Sequence, residues 1–210
     1  MTRLVANLPA KKLPLQMPNT LFPIFLKMDQ IQTLVVGGGN VALEKASAIL
    51  RNSPEANLTL VAPFFRPETL EYLQDFPQVR IVERGFQASD LEGLDLIICA
   101  TDSPALHAEI KTLAAAQHLL CNVADTPPLC DFYLGSIVQK GDLKIAISTN
   151  GKSPTLAKRI RAFLEDVIPE DIQTSLDQLE AARKTLKGDF QEKITQLNEL
   201  TKNLIFPKKD

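Results

Sequence analysis

The stretch IQTLVVGGGNVA, residues 31–42, decides the fold. Its first half, Ile31–Val36, is a short apolar run rich in β-branched residues, which indicates a buried strand. Its second half fits the pattern G-x-G-x-x-A, in which Gly37 allows a tight turn, Gly39 lets a pyrophosphate approach the backbone, and Ala42 lets a helix pack close to the sheet. The stretch therefore predicts a dinucleotide site where the helix N-terminus faces the anion, and a plain tight turn is the alternative.

Strands and helices alternate along the chain beyond this stretch. Apolar runs predict strands at Leu58–Ala62, Val79–Val82, Leu94–Ala100 and Leu119–Val123, and helical spacing predicts helices at Val41–Leu50, Pro67–Leu73 and Pro104–Ala116. This alternation predicts a parallel sheet covered on both faces. Because crossovers between parallel strands are right-handed, we expect an α/β fold with a doubly wound, Rossmann-like sheet.

The pattern changes after residue 130. The next expected elements are a hairpin of strands Ser136–Lys140 and Leu143–Thr149 and a helix from Pro154 to about Val167. Gly141-Asp142 between the two strands is a hairpin signal. Ser153 before Pro154 is typical of an N-cap followed by the first helical residue.

The remaining chain carries an amphipathic stripe over 170–205, with a break expected at Gly188. We therefore divide the chain into a leader (1–20), a Rossmann domain (21–133), a small α+β segment (134–168) and a helical C-terminal region (169–210). No internal repeat or low-complexity tract interrupts this order.

Composition narrows the class of protein. The chain has 210 residues, of which 45% are hydrophobic and 23% charged, as in an ordinary globular protein. Its net charge of −2, its lack of Trp and its two Tyr argue against nucleic-acid binding. The uncharged stretch Leu13–Leu26 is too short and too rich in proline for a transmembrane helix, and it lacks the features of a secretory signal.

Cysteine and histidine usage points away from a disulfide framework or a metal site. The three cysteines, Cys99, Cys121 and Cys130, are widely spaced and form no C-x-x-C motif, so we expect reduced thiols and a cytoplasmic protein. The two histidines, His107 and His118, fall in or beside a predicted helix, away from the strand ends, and we interpret both as structural. No cluster has metal-ligand spacing.

The second strand ends without the Asp or Glu that usually binds the ribose of a dinucleotide. The sequence there is LVAPF, residues 60–64, so backbone groups or shape must hold the ribose. Arg66 lies nearby and would favour NADP⁺ if it met a 2′-phosphate. The alternative interpretation is an exposed arginine at a helix start.

Two aspartates follow later predicted strands. Thr101 and Asp102 follow the fourth strand, where a loop of a doubly wound sheet borders the cofactor crevice, although Asp102 is alternatively a helix cap. Asp125 ends the fifth strand on the same side. A carboxylate there could face the reacting carbon and act as a base, and a turn-forming aspartate is the alternative.

A second helix start with basic residues lies at Thr149–Pro154. Lys158, Arg159 and Arg161 follow on the predicted helix. Backbone N–H groups together with clustered cations suit a ligand that carries several carboxylates. The alternative is a capped helix with a solvated charged face.

Taken in order, these residues resemble one known family. The matching segments are LFPIFL (21–26), VVGGGNVA (35–42) with Lys45, VAP (61–63), ATD (100–102), CNVAD (121–125) and GKSP (151–154). The family is precorrin-2 dehydrogenase, also called the N-terminal module of siroheme synthase, and some of its members are also sirohydrochlorin ferrochelatases. The resemblance covers residues 21 to about 165, and the ordered set is more specific than any single motif.

The resemblance implies NAD⁺-dependent oxidation of precorrin-2 to sirohydrochlorin in siroheme biosynthesis. It implies that the cofactor is contacted on the first and second turns and that one carboxylate, Asp125, is essential. With the residues predicted from the fold, the expected NAD site comprises Gly37, Gly39, Asn40, Val41, Pro63, Phe64, Thr101 and Asp102. The resemblance also implies a homodimer formed through 134–168.

The tetrapyrrole substrate carries many carboxylates and needs cations and helix N-termini at its rim. We assign that role to Gly151, Ser153, Lys158 and Arg161. Asp125 could also take pyrrole N–H protons if Fe²⁺ is inserted, and the sequence leaves ferrochelation open. Another NAD enzyme or a nucleotide-sensing regulatory domain on the same fold is one alternative; a chelatase with a vestigial Rossmann site is the other, and the intact glycines argue against it.

Overall fold

A computed structural model describes residues 19–186 and 189–201, and it contains a five-stranded parallel sheet. The strands are β1 (Thr33–Val36), β2 (Leu58–Ala62), β3 (Arg80–Glu83), β4 (Leu96–Cys99) and β5 (Leu120–Val123). Their order in the sheet is β3-β2-β1-β4-β5. The predicted doubly wound, Rossmann-like fold is confirmed.

Helices cover both faces of this sheet. They are α1 (Asn40–Asn52), α2 (Pro67–Leu73) and α3 (Pro104–Ala116). Because side chains alternate along a strand, β1 contributes Val35 to the cluster that contains Ala42 of α1, and Leu34 to the cluster that contains Ile110 of α3. The connections reverse direction between β1 and β4, and in open α/β sheets ligands bind at the carboxyl ends of the strands at this point.

The ends of β2, α2 and α3 match the predicted ends, and the ends of the other predicted strands and of α1 differ by at most two residues. β1 begins at Thr33 rather than Ile31 because its pairing with β2 begins at Thr33–Leu58. Two short 3-10 turns, Ala88–Leu91 and Pro127–Leu129, were not expected from the sequence. Neither carries a periodic apolar pattern, which is the signal that sequence analysis uses.

The C-terminal part has its own small sheet and three helices. β6 (Ser136–Lys140) and β7 (Leu143–Ile147) pair antiparallel, and α4 (Pro154–Val167) packs on them. Two further helices follow, α5 (Ile172–Thr185) and α6 (Phe190–Thr201). The break expected at Gly188 and most of the leader lie outside the described residues. In the two described ranges, no helix is long and apolar enough to span a membrane.

Candidate cofactor and active site

The carboxyl ends of four neighbouring strands are joined in one row. Three backbone hydrogen bonds connect them: Gly37 N to Val61 O (2.9 Å), Ala100 N to Val36 O (2.8 Å) and Ala124 N to Cys99 O (2.9 Å). The turns that follow these strands, together with Asn40 and Val41 at the start of α1, carry every residue predicted to bind the cofactor, and Asp125 lies in the last of these turns. The fold therefore brings the predicted cofactor loops and the predicted base to one edge of the sheet.

Two of the three glycines after β1 are required by the fold itself. Gly37 has φ +135°, and a Cβ on it would collide with the carbonyl oxygen of Ala100. A Cβ on Gly38 would collide with the carbonyl oxygen of Phe64, and the Gly38 carbonyl accepts hydrogen bonds from Arg66 N (3.0 Å) and from the buried hydroxyl of Thr69 (3.1 Å). The sequence alone indicates no role for Gly38, since the residues that contact it lie in the turn after β2, which is distant along the chain.

Gly39 differs from the other two glycines. Apart from its chain neighbours, no atom of the described residues would lie within 4 Å of a Cβ there, and the backbone (φ −90°) is accessible to any residue. Gly39 is the N-cap of α1, and among the described residues no side chain caps this helix or places an acidic group in its first turn. The first N–H groups of a helix have no partner within the helix, so the start of α1 offers open space and partial positive charge to an anion.

The turn after β2 presents Pro63 and Phe64 to solvent, and Phe64 is 65% exposed. Arg66 starts α2, and its Nε lies 3.3 Å from Oε2 of Glu68. The hydrogen bond from Arg66 lowers the pKa of the Glu68 carboxyl, so the two side chains form an ion pair at neutral pH. This arrangement supports the interpretation of Arg66 as an exposed arginine at a helix start.

The turn after β4 shows that Asp102 is not the cap of α3. Ser103, not Asp102, caps α3, because the Ser103 hydroxyl oxygen accepts a hydrogen bond from Leu106 N at 3.3 Å. Asp102 is exposed and remains available to a ligand. Pro104 at the first helical position is the sequence signal that could have identified the cap, since it places the N-cap on the residue before it.

His107 lies closer to the site than the sequence indicated. It is buried, and its ring Nε2 lies 2.9 Å from Oγ1 and 3.3 Å from the backbone N of Thr101, directly after β4. The expectation that both histidines lie away from the strand ends is therefore wrong for His107. His118, at the end of α3, is exposed.

Asp125 follows the end of β5 with its carboxylate exposed. Its backbone is left-handed (φ +56°), a conformation that turn-forming aspartates tolerate. The carboxylate has no hydrogen-bond partner among the described residues, so it does not stabilise the turn through its side chain. An exposed carboxylate at this edge of the sheet is available to accept a proton from a bound ligand.

The second helix start is closed by its own residues. The Ser153 hydroxyl oxygen accepts from Leu156 N (3.2 Å), and Ser153 N donates to the hydroxyl oxygen of Thr149 (3.1 Å). Gly151 has φ +73°, which an L-residue rarely adopts. Lys158 is exposed on α4, and Nε of the half-buried Arg161 lies 3.5 Å from Glu165. In the described ranges no hydrogen bond or ion pair joins these predicted substrate ligands to the row of strand ends.

The three cysteines are free, and Cys99 and Cys121 are buried on neighbouring strands of the sheet. The hydrogen bond with the adjacent Cys121 thiol, together with burial, raises the pKa of Cys99 far above its usual range. Across the residues that the structure covers, no group of three His, Cys, Asp or Glu side chains is arranged to hold a metal ion.

Comparison with known proteins gives matches over both parts of the chain. Residues 24–136 match the family described as "Putative NAD(P)-binding", and residues 140–166 match "Sirohaem biosynthesis protein central". The siroheme synthase of Pseudoalteromonas atlantica is 38% identical over 185 residues, which are 88% of this chain and 38% of that protein. The siroheme synthase of Methylococcus capsulatus is 37% identical over 174 residues, 83% of this chain and 34% of that protein.

A solved structure also matches. Precorrin-2 dehydrogenase SirC is similar with a TM-score of 0.66 and 26% identity, over 86% of this chain and 89% of that chain. The chain thus spans little more than a third of the siroheme synthases that it matches, and most of the length of the solved dehydrogenase.

Proposed function

The chain belongs to the NAD(P)-binding family of sirohaem biosynthesis proteins, and on that premise we propose that it oxidises precorrin-2 to sirohydrochlorin with NAD⁺ as the hydride acceptor. One observation carries the proposal. The open, uncapped start of α1 at Gly39 and the unpartnered carboxylate of Asp125 lie along the same edge of the sheet. A cofactor anion and a proton acceptor are the two things that this reaction requires of the protein.

The residues present fit the cofactor. Gly39 leaves room for a pyrophosphate, and the N–H groups of Asn40 and Val41 at the start of α1 would bind it. Pro63 and Phe64 on the second turn would flank the adenosine half, while Thr101 and Asp102 border the crevice after β4. Bound NAD⁺ supplies the hydride acceptor, and the engagement of Arg66 with Glu68 favours NAD⁺ over NADP⁺.

Asp125 is the proposed proton acceptor. Oxidation of precorrin-2 removes a hydride and a proton from the ring system, and the proton must reach a base on the protein or water. The exposed Asp125 carboxylate has no competing partner among the described side chains. Neither histidine offers a free nitrogen at this position. The Nε2 of His107 is engaged by Thr101, and His118 lies at the end of α3.

The substrate carboxylates are proposed to bind at Gly151, Ser153, Lys158 and Arg161. The Ser153 oxygen already accepts a hydrogen bond, but its hydroxyl hydrogen can still donate to a carboxylate. Lys158 and Arg161 supply the positive charge on α4.

We propose that the protein is a homodimer in which the segment 134–168 supplies much of the contact. α4 presents an apolar stripe to solvent, formed by Leu156 (50% exposed), Ile160 (37%), Phe163 (62%) and Val167 (51%). Spacings of four, three and four place these side chains on one helix face. A second copy that covers this face would also bring the helix start of one protomer towards its partner.

The test uses purified protein, NAD⁺ and precorrin-2 under anaerobic conditions, with NADH absorbance and sirohydrochlorin as readouts. Stoichiometric NADH and sirohydrochlorin are expected. NAD⁺ binding without NADH formation would favour the nucleotide-sensing alternative, and NADH formation only with some other substrate would favour a different NAD enzyme. Replacing NAD⁺ by NADP⁺ in the same assay measures the cofactor preference.

Ferrochelation is a second activity to be tested on the same preparation. Fe²⁺ would be a substrate, and the exposed Asp125 carboxylate would accept the pyrrole protons that metal insertion releases. Sirohydrochlorin with Fe²⁺ and without NAD⁺ would yield siroheme if the activity is present. We also propose a cytoplasmic location, which the three free cysteines support.

A further inference from the structure

His107 is the one buried histidine among the described residues, and it is joined to the turn that follows β4. It lies on α3, four residues beyond the cap Ser103, and is 6% exposed. Its Nε2 lies 2.9 Å from Thr101 Oγ1 and 3.3 Å from Thr101 N. The ring therefore reaches back from the helix to the cofactor side of the sheet.

The direction of these hydrogen bonds determines which ring nitrogen of His107 carries the proton. A backbone N–H can only donate, so Nε2 must accept from Thr101 and the ring proton must sit on Nδ1. The Thr101 hydroxyl can then donate to Nε2 while its oxygen accepts from Ser103 N at 3.2 Å. Neutral His107, Thr101 and Ser103 thus form one connected set of hydrogen bonds that defines the turn.

This turn stands beside the first glycine turn. Ala100 N donates to Val36 O, and the Ala100 carbonyl oxygen lies so close to Gly37 that a Cβ would not fit between them. Thr101 and Asp102 come next in the chain and are two of the proposed cofactor contacts. A change in the protonation of the His107 ring would therefore act on the cofactor through Thr101 and Asp102.

We propose that His107 is a positioning residue whose neutral imidazole holds the turn Thr101–Ser103 in the conformation that binds NAD⁺, so that cofactor affinity falls on acidification. This inference rests on the proposed function. His107 does not touch the cofactor, and it acts through Thr101 and Asp102.

The charged groups around the His107 ring are consistent with a neutral imidazole at pH 7. Burial lowers the pKa of His107, and the Asp102 carboxylate acts in the opposite direction. The strands β4 and β5, on which α3 packs, contain no charged residue, and Asp90 of the neighbouring 3-10 turn is held by Arg84. A proton added at Nε2 would point at the Thr101 N–H, so the acceptor would be lost and the turn would shift.

The test measures the dissociation constant of NAD⁺ by calorimetry from about pH 8 to about pH 4.5, a range that extends below the ordinary histidine titration because burial lowers the pKa of His107. Wild type should lose affinity towards the acid end. His107→Gln keeps an acceptor oxygen near the Nε2 position but does not titrate, so its affinity should stay within about threefold of wild type at about pH 8 and should change little with pH. His107→Leu removes the acceptor, and its affinity should be weaker by roughly tenfold at every pH.

His118→Asn is the matched control, because His118 is exposed and its left-handed backbone (φ +58°) suits asparagine. It should retain the acid loss of wild type. If His107→Gln also retains that loss, or if wild type shows none, the positioning role is refuted while NAD⁺ binding stands. Failure of wild type to bind NAD⁺ at all would refute the proposed function and this inference with it.

Nitrogen NMR of the His107 ring in wild type provides a readout that needs no variant to fold. The inference requires the tautomer with the proton on Nδ1, and it requires the Thr101 amide resonance to follow the ring titration. A ring protonated on Nε2 at neutral pH would overturn it.

Discussion

The sheet unit and the hairpin–helix unit treat their apolar residues differently. All four residues of β1 and all four of β4 are buried, and the helices on both faces complete two apolar clusters. In the hairpin, by contrast, Val138 is the one fully buried residue, and α4 buries Ala157 while its apolar stripe faces solvent. The sheet unit therefore completes its core within one chain, whereas the hairpin–helix unit leaves an apolar surface exposed to solvent.

The helix starts of the molecule also differ in how they are capped. The start of α4 is capped by Ser153, and the start of α3 is capped by Ser103, so their first N–H groups are partly satisfied by the protein. The start of α1 at Gly39 has no such cap. We interpret the sheet unit as the part that binds the cofactor and performs the chemistry, and the hairpin–helix unit as the part that assembles the protein and holds the substrate. The following predictions test that division.

The largest expected effect is that of Asp125→Asn on turnover. Asparagine keeps nearly the same shape and tolerates the left-handed backbone, but it cannot accept a proton at neutral pH. General-base contributions are roughly 10² to 10⁴-fold, so the turnover number should fall by that order while NAD⁺ affinity and the melting temperature hold. Iron insertion, if present, should fall with it.

Asp102→Asn is the control for this variant, and a smaller loss is expected from it. Turnover of Asp125→Asn within about twofold of wild type would mean that general-base catalysis does not come from this residue. The base would then have to be sought elsewhere, and Asp102, which is exposed after β4, is the next candidate.

Phe163→Glu tests the other side of the comparison, which is assembly. Phe163 lies in the stripe on α4 and is 62% exposed in the single chain. Loss of one buried Phe contributes about 2 kcal/mol per copy, and a symmetric interface counts it twice, so the dimer dissociation constant should rise roughly a thousandfold. Light scattering should then give a mass near 23.2 kDa.

Ala162→Glu is the matched control, since Ala162 is exposed on α4 away from the stripe, and this variant should remain dimeric. A wild-type protein that is already monomeric at micromolar concentration would contradict the proposed dimer. A dimeric Phe163→Glu variant would move the interface away from this face of α4.

Gly39→Asp separates the cofactor role of the glycine turn from its structural role. A Cβ at Gly39 meets no atom of the described residues beyond its chain neighbours, so the fold should be retained, whereas clash and charge repulsion should weaken NAD⁺ binding by at least about a hundredfold. Gly38→Ala is the contrasting variant. Its Cβ would collide with the backbone of Phe64, and overpacking of this kind costs about 1–3 kcal/mol of unfolding free energy.

Thermal melts and calorimetry distinguish the two variants. If Gly39→Asp binds NAD⁺ with unchanged affinity, the dinucleotide site does not lie at Gly37–Ala42. If Gly39→Asp unfolds instead, the space beside Gly39 is not open in solution.

Sequence analysis predicted the sheet and its glycine turn because local signals agree there. A β-branched run, G-x-G-x-x-A and helical periodicity fall in consecutive segments, and each constrains the next. The contacts of Gly38 with Phe64 and of His107 with Thr101 were not predictable in this way, since they depend on how turns and helices meet in space. The resemblance to the precorrin-2 dehydrogenase family is confirmed, but the roles of individual site residues stay predictions until the variants are measured.

The smallest expected effect concerns cofactor preference. Arg66 at the start of α2 pairs with Glu68 on the surface, and the pair persists down to acid pH because the hydrogen bond from Arg66 lowers the pKa of Glu68. In Glu68→Gln the guanidinium loses its charged partner and becomes available to the 2′-phosphate of NADP⁺. Exposed ion pairs are weak, so the dissociation constant of NADP⁺ should fall by no more than about fivefold, while that of NAD⁺ stays within about twofold. Arg66→Gln in the same background should remove the gain. If NADP⁺ binds no better to Glu68→Gln, the ion pair does not set the preference, and Arg66 lies too far from the ribose to discriminate between the two cofactors.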